Sequence, residues 1–180
     1  MGEIMNIAII IAPENYQDKE FEIPYKIFLD KGFKAEVFST KIGICKGKLG
    51  GFFDVKKNLS QLNIKDFDAL FIVGGPGAIV LRKNELVNKI INDFNKNNKI
   101  IGAICIAPTI LANSGVLKGK KSTVWLGFDQ ELNMNTDTFL EKKGAIFVNN
   151  PVVNDGNFIS GNGPGAAEEF GNTMVAMLSK

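Results

Sequence analysis

Cys105 is the side chain in this 180-residue sequence best suited to covalent chemistry. It joins a short apolar run, residues 100–104, to the segment Pro108-Thr109-Ile110-Leu111-Ala112, which ends at the stop signal Asn113-Ser114-Gly115. The run has the length of a buried strand, and the segment reads as a short helix. A sharp strand-to-helix turn lifts its central side chain out of the sheet. It needs small residues two before and two after, here Ala103 and Ala107. A cysteine at a helix N-terminus meets unpaired amide N–H groups and the positive end of the helix dipole. Both favour the thiolate and hence a nucleophile near neutral pH. A lone cysteine is as commonly an inert buried hydrophobe. These residues alone leave both readings open.

The rest of the composition limits what such a thiol can do. The chain has no histidine. That excludes Ser-His and Cys-His nucleophile pairs within it and removes the commonest zinc ligand, so no metal site and no cofactor is expected. The second cysteine, Cys45, has no charge cluster or helix start beside it and reads as structural. Two cysteines do not make a disulfide framework, which points to the cytoplasm. The net charge is only +2 and the basic residues are scattered, so no nucleic-acid partner is expected. No apolar run reaches the length of a membrane span. The start, Met1-Gly2-Glu3-Ile4-Met5-Asn6, lacks the regions of a signal peptide and the Ser or Thr of a myristoylation site. Met5 is an alternative start, and residues 1–4 need not be native.

The elements that must position Cys105 follow from the apolar pattern. Runs at 7–11 and 68–73 read, like 100–104, as strands buried on both faces. A polar loop at 14–18 precedes a helix with Phe21, Tyr25 and Phe28 on one face, Pro24 as a kink and Gly32 as a stop. Residues 34–40 form a second strand, so the chain opens β-α-β, the mark of a parallel sheet covered by helices. Residues 42–57 read as a β-hairpin around Gly47-Lys48-Leu49-Gly50-Gly51.

Gly74-Gly75-Pro76-Gly77 follows the third strand. It lacks a P-loop ending and the dinucleotide spacing, and is better used to aim an N–H into a shared site. Asn84 caps a helix over 85–97 whose apolar stripe is core packing. Beyond it are expected a strand at 122–126, a helix at 129–143 and short strands at 145–148, 152–153 and 158–159. Asn154-Asp155-Gly156-Asn157 turns a hairpin between the last two. A final helix carries Ala167, Phe170, Met174 and Met177 on one face. No linker or repeat divides residues 1–180, which are expected to form one α/β domain.

Four segments in this order resemble the DJ-1/PfpI superfamily across nearly the whole chain. They are Lys19-Glu20-Phe21-Glu22-Ile23-Pro24, Gly74-Gly75, Ala103-Ile104-Cys105-Ile106-Ala107-Pro108-Thr109 and Ser160-Gly161-Asn162-Gly163-Pro164-Gly165. The resemblance implies a flavodoxin-like three-layer sandwich, a mostly parallel sheet with helices on both faces and a nucleophile elbow at Cys105. It also implies a homodimer or higher homo-oligomer. It places the Glu20 carboxyl against the Cys105 sulfur. Two anions in contact repel, so one proton is shared and the carboxyl is expected to hold it. The N–H groups of Gly75 and Ile106 would form an oxyanion site, and Trp125 and Asn162 would line the pocket.

The departures narrow the chemistry. Peptidase-like relatives carry histidine where this chain has Ile106, others where it has Trp125, and several carry arginine where it has Asn162. A thiol without histidine does not readily protonate an amine leaving group, which disfavours a PfpI-type peptidase. The first expectation is therefore a protein of oxidative stress whose Cys105 is oxidised to sulfenic and sulfinic acid. The alternative is a glyoxalase or deglycase in which Cys105 forms a hemithioacetal with a small carbonyl substrate and Glu20 shuttles the proton. A member that keeps the fold without chemistry is the third. The polar segment 130–137 is assigned no role.

Overall fold

The computed structural model describes residues 4–180. The expectations made for residues 1–3 on leader, lipidation and native start lie outside the described residues. β1 (Asn6–Ile10) is followed by the three-residue β2 (Glu14–Tyr16), within the stretch expected to be a loop, then by α1 (Asp18–Asp30) and β3 (Lys34–Ser39). α1 runs through Pro24 without a break. β4 (Gly43–Gly47) and β5 (Phe52–Val55) pair antiparallel as the expected hairpin, and β6 (Lys57–Asn58) rejoins the main sheet. Next come β7 (Ala69–Ile72), α2 (Ile79–Arg82), α3 (Glu85–Lys96), β8 (Ile100–Ile104) and α4 (Pro108–Asn113). The last third holds β9 (Lys121–Ser122), β10 (Phe128–Asp129), β11 (Met134–Asn135), α5 (Thr136–Lys142) and β12 (Ile146–Phe147). It ends with β13 (Val152–Asp155), β14 (Phe158–Gly161) and α6 (Ala167–Leu178).

Seven strands form the main sheet in the order β13-β14-β8-β7-β1-β3-β6, and every pairing is parallel except the edge strand β13. The central order β3-β1-β7-β8-β14 is flavodoxin-like, with its topological switch point between β1 and β7. The continuous apolar runs serve two cores. Ala8 and Ile10 of β1 and Leu70 and Ile72 of β7 face the layer that includes α3 and α4. Ile7, Ile9, Ala69 and Phe71 face α1 and α6. Gly102 lets α6 pack directly on β8, since a Cβ there would stand 2.8 Å from both Met174 Sδ and the Phe170 ring. Each fully buried Ile, Leu or Phe stabilises by about 1.5–3 kcal/mol. The sheet can therefore hold strained loops at its carboxyl ends. Among the described residues no helix is long and apolar enough to cross a membrane.

Two expectations are corrected. The strand expected at 122–126 ends at Ser122, because the Thr123 N–H turns to Ser160 Oγ (2.9 Å) and the Trp125 N–H to the Cys105 carbonyl (2.8 Å). The helix expected at 129–143 begins only at Thr136. Residues 128–135 are instead the hairpin β10–β11. Asp129 Oδ1 accepts the N–H groups of Glu131 (2.9 Å) and Leu132 (3.1 Å), a side-chain turn that competes with helix. Asn133 is left-handed, with φ of 52°.

Candidate active site

The carboxyl ends of β1, β7, β8 and β14 deliver four loops to one place. Cys105 leaves β8 with φ of +62°, a left-handed conformation rare outside glycine. It is held there from both sides: its N–H donates to the Gly161 carbonyl of β14 (2.8 Å), and its carbonyl accepts the Trp125 N–H. Such strain costs about 1–3 kcal/mol and persists only where the surroundings fix it. Ala103 and Ala107 are fully buried, as the tight turn requires. Cys105 is half-buried and packs against both cores.

Glu20 reaches the same point from the first turn of α1. Gln17 caps that turn, its Oε1 accepting the Lys19 N–H (2.7 Å), and the Gln17 N–H donates to the Gly74 carbonyl (3.1 Å). Gly74 marks where the groups converge. A Cβ on it would stand 2.5 Å from Glu20 Oε2, 2.5 Å from the Ile104 carbonyl and 2.6 Å from Cys105 Cβ. Gly75 has φ of +98°, and a Cβ there would stand 2.4 Å from the Gln17 nitrogen. Both glycines are therefore required by geometry.

Glu20 is fully buried, and neither carboxyl oxygen has a well-formed hydrogen bond. Burial raises its pKa from 4.5 to about 8, against the opposing pull of the Cys105 thiol, the Gly74 amide and the Lys48 charge. Burial also pushes the Cys105 thiol up to about 12, and the Glu20 charge adds to it. The Gly75 and Ile106 N–H groups pull the other way. Both acids are thus held above their ordinary values, each chiefly by burial. α4 begins at Pro108, three residues past Cys105, so the expected helix start is not at the sulfur, and the Gly75 and Ile106 N–H groups are what favours a thiolate there.

These groups form the floor of a cavity of about 450 Å³. Gly75, Ile106 and Trp125 line it as expected. Asn162 does not: its N–H is tied to the Pro151 carbonyl (2.9 Å), and Pro164 reaches the wall in its place. Several wall residues were not foreseen, among them Gln17, Lys48, Phe128, Asp129 and Glu131. Segment 128–135 thus acquires a place as the cavity rim. It is anchored by Arg82, buried at the end of α2, which bonds Asp129 at 2.6 Å and Glu131 at 3.2 Å. Lys83 adds a contact to Glu131 at 2.6 Å. No motif marks Arg82 in the sequence, because its partners lie more than forty residues away. Cys45 is fully buried away from this cavity, as a structural thiol would be.

The model of the DJ-1/PfpI family matches residues 5–177. The chain belongs to the DJ-1/PfpI family. "Deglycase PfpI" of Pyrococcus furiosus is 30% identical over 97% of this chain and 99% of its own. Protein dj-1beta of Drosophila melanogaster is 29% identical over 96% of this chain and 89% of its own. The crystal structure of a ThiJ/PfpI domain protein from Brachyspira murdochii superposes with a TM-score of 0.90 at 30% identity, covering 99% of this chain and 98% of that one. The expected family and flavodoxin-like α/β fold are both met.

Proposed function

We propose that this chain is a cysteine-dependent enzyme acting on small reactive carbonyl compounds, of the deglycase or glyoxalase type. The observation that carries the reading is the buried pair, an unpartnered Glu20 carboxyl against the Cys105 thiol at the floor of a small-molecule cavity. A buried carboxyl that ionises near pH 8 and converges with the thiol at Gly74 is arranged to exchange a proton with it. In the first step Glu20 takes the Sγ proton while the sulfur electron pair forms a bond to the aldehyde carbon. The C=O π pair moves to oxygen, which then takes the proton back from Glu20 to give a hemithioacetal. The Gly75 and Ile106 N–H groups facing the sulfur would hold the developing negative oxygen. The name of the Pyrococcus furiosus relative supports this class.

A redox role is the second reading. The same two N–H groups would stabilise a sulfinate on Cys105. A histidine-free site still disfavours peptide hydrolysis. We place the protein in the cytoplasm as a homo-oligomer. Free cysteines support the first, and exposed Ile44, Leu49 and Phe52 on the β4–β5 hairpin support the second.

Turnover of methylglyoxal tests the main reading: it should be lost in both Cys105→Ala and Glu20→Ala, and equal rates in wild type and Cys105→Ala would eliminate it. Peroxide treatment with mass spectrometry tests the second. Two oxygens on Cys105 with Cys45 spared support it, whereas oxidation of Cys45 alone ends it.

A further inference from the structure

The turn joining β4 to β5 is fixed to the same helical turn that carries Glu20. The buried Asp18 carboxyl accepts the N–H of Leu49 at 2.7 Å and of Gly51 at 2.7 Å. Gly47 and Gly51 make room for it, since a Cβ would stand 2.1 Å and 2.5 Å from Asp18 Oδ1. The Lys48 N–H donates to the Tyr16 carbonyl at 2.8 Å. The backbone at Lys48 is therefore held firmly, and its side chain forms part of the cavity wall with Cys105.

The charges around that cavity do not cancel. Asp129 and Glu131 on the rim are balanced by Arg82 and Lys83. Burial raises the Glu20 carboxyl to about 8, which favours its neutral form at pH 7. Among the described residues no carboxylate lies within ion-pair distance of Lys48. Its charge is nonetheless felt at Glu20 on the cavity floor. Lys48 is therefore the cation lining the cavity with Cys105 that no ion pair neutralises, while the Asp18 carboxylate beneath its turn lies outside the lining and is engaged by the Leu49 and Gly51 N–H groups.

We propose that Lys48 is a specificity-determining residue, which draws to Cys105 small aldehydes that carry a carboxylate. The aldehyde carbon meets the sulfur while the carboxylate meets the ammonium. The substrate class rests on the carbonyl reading above, whereas the charge selection by Lys48 can be read without it.

The experiment uses two alkylating agents of nearly equal size, anionic iodoacetate and neutral iodoacetamide, on wild type, Lys48→Met and Lys48→Arg. Site-resolved mass spectrometry follows Cys105. Taking the ratio of the two rates removes any change in thiol reactivity. A cation at an exposed cavity mouth is worth roughly a three- to tenfold preference for an anion. The ratio should fall by that factor in Lys48→Met and be kept in Lys48→Arg. An unchanged ratio in Lys48→Met overturns the proposal. Turnover of glyoxylate and methylglyoxal forms the second arm, in which Lys48→Met should raise KM for glyoxylate and leave methylglyoxal unaffected. If wild type turns over neither aldehyde while the alkylation ratio still falls, the carbonyl reading fails and the role of Lys48 stands. If both aldehydes lose the same factor, the role of Lys48 fails and the carbonyl reading stands.

Discussion

Glu20→Gln should gain stability relative to wild type as pH rises from 5 to 8. Glu20 ionises near its ordinary 4.5 in the unfolded chain but near 8 in the folded one. Over that interval the folded state holds a proton that the unfolded state has released, so wild-type stability falls as pH rises. The loss is about 1.4 kcal/mol per pH unit, or about 3 kcal/mol between pH 5 and 7. Glutamine does not ionise and escapes it. Its amide hydrogens enter a pocket without good acceptors, which lowers the variant by about 1–3 kcal/mol at every pH but leaves the slope intact. Urea unfolding at pH 5, 6, 7 and 8 under reducing conditions measures the difference. For a chain of this size, 3 kcal/mol corresponds to about 6–12 °C in Tm. Parallel stability curves for the two proteins would show that Glu20 titrates as an ordinary carboxyl, and the account of the site would fail with it.

Carbonyl turnover should rise with pH and level off above about 8, as the Glu20 base ionises, and Glu20→Gln should flatten that limb and lower kcat by about 10²–10⁴; a wild-type limb near pH 4.5 would contradict it. Gly74→Ala puts a methyl against Glu20, Cys105 and the Ile104 backbone and should cost about 1–3 kcal/mol in denaturant unfolding together with most activity. Arg82→Met strands the buried Asp129 charge and should cost about 3–5 kcal/mol, with faster hydrogen exchange across 128–135. The double variant Arg82→Met, Asp129→Leu should recover most of that stability, and no recovery would mean that Arg82 acts through packing alone.

The sheet was readable because parallel strands covered on both faces are continuous apolar runs. β1, β7 and β8 all stand where such runs occur. Asn84 marked the start of α3 by the local chemistry of its side chain, which accepts the Leu86 and Val87 N–H groups. Asn154-Asp155-Gly156-Asn157 marked the hairpin β13–β14 through turn chemistry. The rim hairpin was not readable, because what holds it is Arg82, distant in sequence, and its two asparagines, Asn133 and Asn135, suit several local structures. At the site, small neighbours pointed to the Cys105 turn, while Glu20 stood out only through the family resemblance. The rise of both acids depends on burial, which no local pattern encodes. Asp18 meets the turn bearing Lys48 only once the β4–β5 turn lies over α1.

The main sheet supplies the thiol and the glycine turn through loops at its own strand ends, and the first turn of α1 supplies Glu20. The turn bearing Lys48 and the hairpin 128–135 belong to other, smaller sheets. Thiol and rim therefore come from separate parts of the fold, joined where Asp18 ties the Lys48 turn to the first turn of α1. Side-chain changes at Lys48 or on the 128–135 rim need not disturb the main sheet or the Cys105 turn. A lineage using this scaffold can drift in substrate range while its chemistry stays fixed, and a laboratory library confined to those two rims would explore the same freedom.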